Sequence, residues 1–213
     1  MSTVTVLGGT GYAGSAIVKE AARRGHQVTA LSRSLPAEPV EGVHYMQGTA
    51  ADAGAAIAGA DVVVGALSPR AGTEGTLVAT YTDVANQAAA AGARLIVVGG
   101  FSSLRPAPGA PRFADSGQVP PEFAAEANEV HTVLTTLEAG APENLDWVFV
   151  SPAAVFGAYT PQGEPHGTYR TGTGIALFDE LGNSAIEGAD FALAVLDEIE
   201  KPEHHRTQLN FAY

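Results

Sequence analysis

Residues 3–14, reading TVTVLGGTGYAG, constrain the fold more than any other stretch of the chain. A β-branched run (Val4, Thr5, Val6) ends in Leu7 and breaks into Gly8, Gly9, Gly11 and Gly14. A helical pattern starts at once, with Ala13, Ile17, Val18, Ala21 and Ala22 on one side. Strand, glycine turn and helix in that order predict a pocket for a dinucleotide pyrophosphate. Gly8 permits the tight turn, Gly11 lets backbone approach the phosphates, and Gly14 lets the helix pack close to the strand. The first helical N–H groups lack intrahelical partners, and the positive end of the helix dipole faces the anion. Gly8, Gly9, Thr10, Gly11, Tyr12, Ala13 and Gly14 are therefore the expected phosphate-side residues. The spacing is Gly-x-x-Gly-x-x-Gly, not the commoner Gly-x-Gly-x-x-Gly. A glycine-rich turn without a ligand would not need three glycines in register with a helix start.

The 213 residues suit one domain, 1–213, with a well-buried core. A hydrophobic share of 46% against 16% charged residues excludes bulk disorder. The net charge of −12 argues against nucleic acid or an anionic membrane as partner, because both need basic patches. Any phosphate must then be held by local backbone dipoles and a few arginines. The absence of cysteine removes disulfides, thiol nucleophiles and Cys-based zinc sites, and no metal site is expected. No apolar run is long enough to span a bilayer, and Met1 leads straight into the first strand, without the pattern of a signal peptide. The expectation is a soluble, cytoplasmic monomer or homodimer acting on a small molecule.

Strand and helix patterns alternate along the first two-thirds. A helix over 13–24 closes at Gly25, and strands follow at 27–32 and 43–47. A short helix over 52–58 precedes a near-continuous apolar strand at 61–67, as expected when both faces of a parallel strand are covered. A helix over 75–91 leads to a strand at 94–99. Residues 100–121 form a Pro/Gly/Ser-rich loop too long to be an idle connector. A helix from 120 to about 138, opened by proline, then leads to a strand at 146–151. These β-α units predict an α/β, Rossmann-like, doubly wound parallel sheet with right-handed crossovers. Beyond 157 the pattern predicts a small C-terminal cap on the carboxyl edge of the sheet. It holds short strands at 175–178 and 184–186, an amphipathic helix at 188–200 and a terminal strand at 206–211.

The end of the second strand bears on the ribose. An acidic residue there would bind the 2′-OH of NAD and repel a 2′-phosphate. Ser32-Arg33-Ser34 instead offers an arginine fork between two hydroxyls, which favours NADP over NAD; a merely solvated Arg33 would leave NAD open. Asp52 is placed either to reach the adenine edge or to cap the helix beginning there.

With these elements placed, the chain resembles an atypical short-chain dehydrogenase/reductase. Within that superfamily it is most similar to the NmrA-like NAD(P)H-binding branch, which includes NADH-flavin reductases and biliverdin/flavin reductases. The resemblance covers nearly the whole chain. It rests on the glycine turn, the strand end at 31–34 and the strand at 61–67. It extends to residues 97–104 (VVGGFSSL), 147–153 (WVFVSPA), 179–186 (DELGNSAI), 190–194 (DFALA) and the closing Phe211-Ala212-Tyr213. It implies a cofactor lying across strands one and four, in contact with Ala66, Leu67 and Ser68. The nicotinamide would then lie near Gly99, Gly100, Ser151, Pro152 and Ala153, with Phe101 on the substrate side.

Members of the superfamily typically use a Tyr-x-x-x-Lys pair, in which lysine lowers the tyrosine pKa for proton transfer. Here the only lysines are Lys19 and Lys201, and none of the 6 tyrosines has a lysine four positions on. The helix expected to carry the pair reads FAAEANEVH over 123–131. That argues against ordinary alcohol/ketone dehydrogenation but not against hydride transfer to a flavin, quinone or other conjugated acceptor protonated by solvent. Ser102 and Ser103 could donate a proton or simply bond their own backbone. His131 is a candidate general acid or a structural histidine. Tyr159, Tyr169 and Arg170 could line a substrate pocket, Arg170 holding an anionic group, or could serve packing and solvation. Three functions compete: an NADPH-dependent reductase, a non-catalytic NmrA-like redox sensor, and a specialised biosynthetic reductase or isomerase.

Overall fold

In the computed structural model, residues 1–160 and 162–213 are described. The chain alternates β1 (Thr3–Leu7), α1 (Tyr12–Arg23), β2 (Gln27–Ser32), β3 (His44–Gln47), α2 (Ala53–Ile57), β4 (Val62–Gly65), α3 (Leu77–Ala91), β5 (Arg94–Val98), α4 (Pro121–Gly140) and β6 (Trp147–Ser151). It closes with β7 (Arg170–Gly172), α5 (Gly188–Glu200) and β8 (Thr207–Ala212). The sheet order is β3-β2-β1-β4-β5-β6-β8-β7. Every neighbouring pair is parallel except β7 against β8 at the edge. This is a doubly wound, Rossmann-like α/β fold, in which the strand order reverses direction beside β1.

Side chains alternate along each strand, so the sheet sends one set of residues to each face. Val4, Val6, Val64, Ile96 and Val150 pack under α1 and α5 with Ile17, Phe191 and Val195. Val63, Leu95, Val97, Trp147 and Phe149 pack under α2, α3 and α4 with Tyr81, Val84 and Leu134. Near-continuous apolar runs such as Val62-Val63-Val64 follow from that double coverage.

The C-terminal part differs from the sequence-based expectation. The cap was expected to include the helix at 188–200, but that helix is α5, and its buried Phe191, Val195 and Ile199 seat it beside α1 against the sheet. The terminal strand sits inside the sheet, next to β6. Of the expected cap, the described residues of the connection before α5 remain at the carboxyl edge. The strands expected at 175–178 and 184–186 are single bridges, Ile175 to Arg105 and Ala185 to Val155; the added strand is β7. Apolar residues there contact the loop after β5 instead of forming a ladder: Phe178 lies edge-on to Phe101, with ring centres 6.2 Å apart. Among the described residues, no helix is long and apolar enough to cross a membrane.

Candidate active site

At the carboxyl ends of β1, β4, β5 and β6 lies a cleft of about 990 Å³. This is the upper end of the size range for small-molecule sites, and it opens where the strand order reverses. Gly11, Tyr12 and Ala13 line one end. Gly8, at φ +85°, turns the chain behind them. Gly14 is packed so closely that a Cβ there would lie 2.1 Å from the Gly8 carbonyl oxygen. Gly11 starts α1 without a side-chain cap, and the first turn holds no acidic residue, so its N–H groups are left for an anion. The cradle therefore fits a dinucleotide pyrophosphate. Tyr12 fixes the far side: its hydroxyl accepts the Gly188 N–H at 3.2 Å, and its ring stands edge-on to Phe156.

The second-strand end is more internally committed than its sequence suggested. Ser32 is buried, and its hydroxyl accepts the Thr10 N–H at 3.0 Å, pinning the glycine turn to β2. Its oxygen thus braces the turn. Arg33 and Ser34 are exposed. One Arg33 nitrogen donates to the Ala71 carbonyl at 2.9 Å, leaving the other guanidinium donors to be shared with a ligand. Asp52 makes no side-chain capping bond to α2. It accepts the Thr49 N–H at 2.8 Å in a capping box that opens the turn before α2.

Ala66, Leu67, Ser68, Gly99, Gly100, Phe101, Ser102, Pro152, Ala153 and Tyr159 all line the cleft. Two buried aromatic rings make that convergence possible. Tyr81 accepts the Leu67 N–H at 3.1 Å and fills the space that a Gly65 side chain would need. Phe149 lies so close under Gly99 that a Cβ would sit 1.9 Å from its ring.

Five further candidates, like Ser32, Arg33, Ser34 and Asp52, are not among the residues lining the cleft. Ser103 is fully buried, one residue past the lining hydroxyl of Ser102. The Ser151 hydroxyl accepts from Gln208 at 3.0 Å inside the sheet. Tyr169 donates to Asp197 at 2.7 Å and stands edge-on to Phe211, on the α5 side of the sheet. Arg170 donates from one guanidinium nitrogen, Nη2, to the Phe178 and Tyr213 backbone oxygens. These last two correct the substrate-pocket expectation, because β7 carries them to the outer edge of the sheet. His131 is not among the residues lining the cleft. Its Nε2 lies 3.3 Å from Asp115.

Burial holds the His131 imidazole below its ordinary range, partly opposed by Asp115; Arg112 and Glu138 act in opposite directions nearby. The unfolded chain thus takes up this proton at higher pH than the folded one. Stability from neutral His131 is present above about pH 6.5 and is lost as pH falls through the lower folded value. Melting temperature should therefore fall more steeply from about pH 7 to about pH 5 in wild type than in His131→Gln. Parallel slopes would remove His131 as the cause.

Sequence reasoning missed Arg70, Phe113, Gln118, Phe123, Glu126 and Phe156, all of which line the cleft. The signal for α4 was present. Phe123, Glu126, Ala127 and Val130 fall at i, i+3, i+4 and i+7, one helical face. The loop residues carry no such period.

The sequence matches the NAD(P)H-binding family over residues 8–202, a span running from the glycine turn into the C-terminal part. The chain belongs to the NAD(P)H-binding family. Its cofactor class is accordingly a nicotinamide dinucleotide. Three solved structures are similar over the whole of this chain. One from Burkholderia pseudomallei, provisionally named an exported protein, is 38% identical, is covered over 100% of its length and has a TM-score of 0.85. A Bacteroides thetaiotaomicron protein provisionally named an epimerase is 31% identical, covered over 97%, with a TM-score of 0.86. A Streptococcus pneumoniae protein provisionally named an NADH-flavin reductase is 31% identical, covered over 99%, with a TM-score of 0.85.

Proposed function

We propose that this NAD(P)H-binding chain is an NADPH-dependent oxidoreductase that passes hydride to a flavin, quinone or other conjugated small-molecule acceptor. The observation that carries the reading is the wall of the cleft beside Gly99 and Phe101. Phe113, Phe123, Ala127, Val130 and Phe156 make it apolar and aromatic, and among the described lining residues there is neither lysine nor histidine. Such a wall can sandwich a flat conjugated ring and exclude water, but it cannot run the proton relay of an ordinary alcohol dehydrogenase. When bound, the reduced nicotinamide supplies the hydride. The glycine turn and α1 hold the phosphates, while Gly99, Gly100, Pro152 and Ala153 leave the backbone close to the reacting rings. The acceptor takes two electrons with the hydride, and its balancing proton comes from solvent. The Streptococcus relative supports the flavin assignment.

Loss of reduced-nicotinamide absorbance on mixing protein, NADPH and FMN, riboflavin or menadione tests the reading. Steady turnover with at least one acceptor is expected. Tight NADP binding with no turnover across the panel would replace it with a non-catalytic redox sensor.

The preference for NADPH rests on Arg33, an exposed guanidinium at the end of β2 with no carboxylate beside it. Arg33→Ala should raise the Kd for NADPH about tenfold, the worth of a charge-assisted hydrogen bond, while NADH changes little. Equal weakening of both dinucleotides would mean that Arg33 acts only by tethering Ala71.

A further inference from the structure

Resting on the reductase reading, we infer that the acceptor is an anion and that Arg70 is the residue that reads its charge. Arg70 is the one basic side chain among the described residues lining the cleft. It lies over α4 in a two-pronged pair with Glu126, Nε at 2.9 Å and Nη2 at 2.8 Å from the two carboxylate oxygens. Glu126 shares a helical face with Phe123, Ala127 and Val130, so the guanidinium stands directly above the apolar wall. Tyr159 lines the same cleft.

The position is preset by the backbone. The Arg70 N–H donates to the Thr73 hydroxyl at 3.2 Å, and that hydroxyl bonds the Ser68 carbonyl at 3.1 Å. Ala71, the next residue, sits at φ 57°, a left-handed conformation costing an alanine about 1 kcal/mol. Glu129, one turn along α4 from Glu126, accepts the Gly75 and Leu77 N–H groups at 2.9 and 2.7 Å and ties the far end of the same loop. A strained, doubly anchored loop thus delivers a single cation to the acceptor side of the cleft.

The overall charge of −12 gives this local cation its importance, because the whole-chain field repels anions. A guanidinium fork matches a carboxylate or phosphate, and Glu126 holds it in the ligand-binding geometry until an anionic substituent replaces the carboxylate. The ligand class is a planar conjugated ring carrying a phosphate or carboxylate arm.

FMN and riboflavin share a ring and differ only in the phosphate, so the ratio of their KM values isolates the effect. Wild type should favour FMN over riboflavin by about tenfold in KM. Arg70→Met should bring that ratio to about one, and Arg70→Lys should keep part of it, since charge survives without the fork. Glu126→Gln should lower the KM for FMN by relieving the competing carboxylate. NADPH affinity of each variant is measured alongside, because the cofactor also carries phosphates. A ratio retained in Arg70→Met, or a rise in NADPH Kd with the ratio intact, would overturn the assignment and give Arg70 to the cofactor or to the fold. Equal KM values for the two flavins in wild type would also overturn it while leaving the reductase reading standing. No NADPH oxidation with either flavin or with menadione would remove both.

Discussion

Gly14→Ala should abolish useful dinucleotide binding, raising Kd by at least about a hundredfold. The reason is local and rigid. The added Cβ would lie 2.1 Å from the Gly8 carbonyl oxygen, 2.9 Å from its carbon and 3.1 Å from the Gly9 Cα, all of them backbone atoms. No rotamer change can clear them, so α1 must move off the end of β1. The Thr10 N–H to Ser32 bond and the open first turn of α1 are displaced with it. Forced overpacking of this kind costs about 1–3 kcal/mol, or roughly 5–10 °C in melting temperature for a chain of this size. Gly25→Ala is the matched control. Gly25 is at positive φ, +82°, whereas Gly14 is helical, and nothing lies within 4 Å of the Gly25 would-be Cβ. It should lose about 1 kcal/mol from the left-handed backbone alone and keep wild-type Kd. Isothermal titration with NADPH and thermal melts of both variants separate the effects. Unchanged affinity in Gly14→Ala would mean that the glycine turn is not the phosphate cradle.

Glu198→Ala should be strongly destabilising, costing about 3 kcal/mol by removing the buried one of the two carboxylates that pair the Arg94 guanidinium. Glu198 lies near the end of α5 with a side chain only 6% exposed, and its partner Arg94 is 9% exposed. Arg94 begins β5 and gathers four groups: the Glu198 carboxylate at 2.7 Å, the Glu198 carbonyl at 2.7 Å, the His204 carbonyl at 2.5 Å and Asp146 at 2.9 Å. Glu198 also receives the His204 ring at 2.7 Å. The cluster clamps α5 and the chain leading into β8 to the amino ends of β5 and β6. Since it sits at the strand ends opposite the cleft, dinucleotide Kd should be preserved well below the lowered melting temperature. A drop of roughly 10 °C is expected for a chain of this size. A loss below about 1 kcal/mol would show that the pair is solvated in practice and worth no more than a surface bridge.

The two variants also separate what kinds of information a sequence holds. Gly14 was legible because a helix start allows few solutions to close strand packing, and glycine spacing records that solution in consecutive residues. The same local logic made the β-α alternation, the buried runs at 62–64 and 95–97 and the absence of a Tyr/Lys pair readable. Glu198 and Arg94 lie 104 positions apart, and nothing in either neighbourhood announces the other. The cap shows a related limit. An amphipathic helix at 188–200 reads equally well on the rim or under the sheet, and only the space beside α1 decides between them.

The candidate site divides in the same way. Gly11, Tyr12, Ala13, Gly99, Gly100, Pro152 and Ala153 follow strands whose carboxyl ends must converge in a doubly wound sheet, and all of them line the cleft. Ser32, Ser103 and Ser151 occupy the right segments, but strand pleat and local turn geometry direct their hydroxyls into the protein. Tyr169 and Arg170 went to the far edge because β7 pairs antiparallel with β8, a register set by partners distant in sequence.

The sequence by itself determined a dinucleotide cradle on an α/β sheet and a cleft without the usual proton relay, because both are written in short-range spacing and residue identity. Only the tertiary structure decided which side chains face the cofactor cleft. It brought Arg70 over Glu126 across 56 positions, set His131 against Asp115, and sealed the opposite end of the sheet with Arg94 and Glu198. The first two depend on how the loops after β4 and β5 pack on α4, and the third on how α5 docks at the amino ends of β5 and β6, long-range competitions for space that no local pattern encodes.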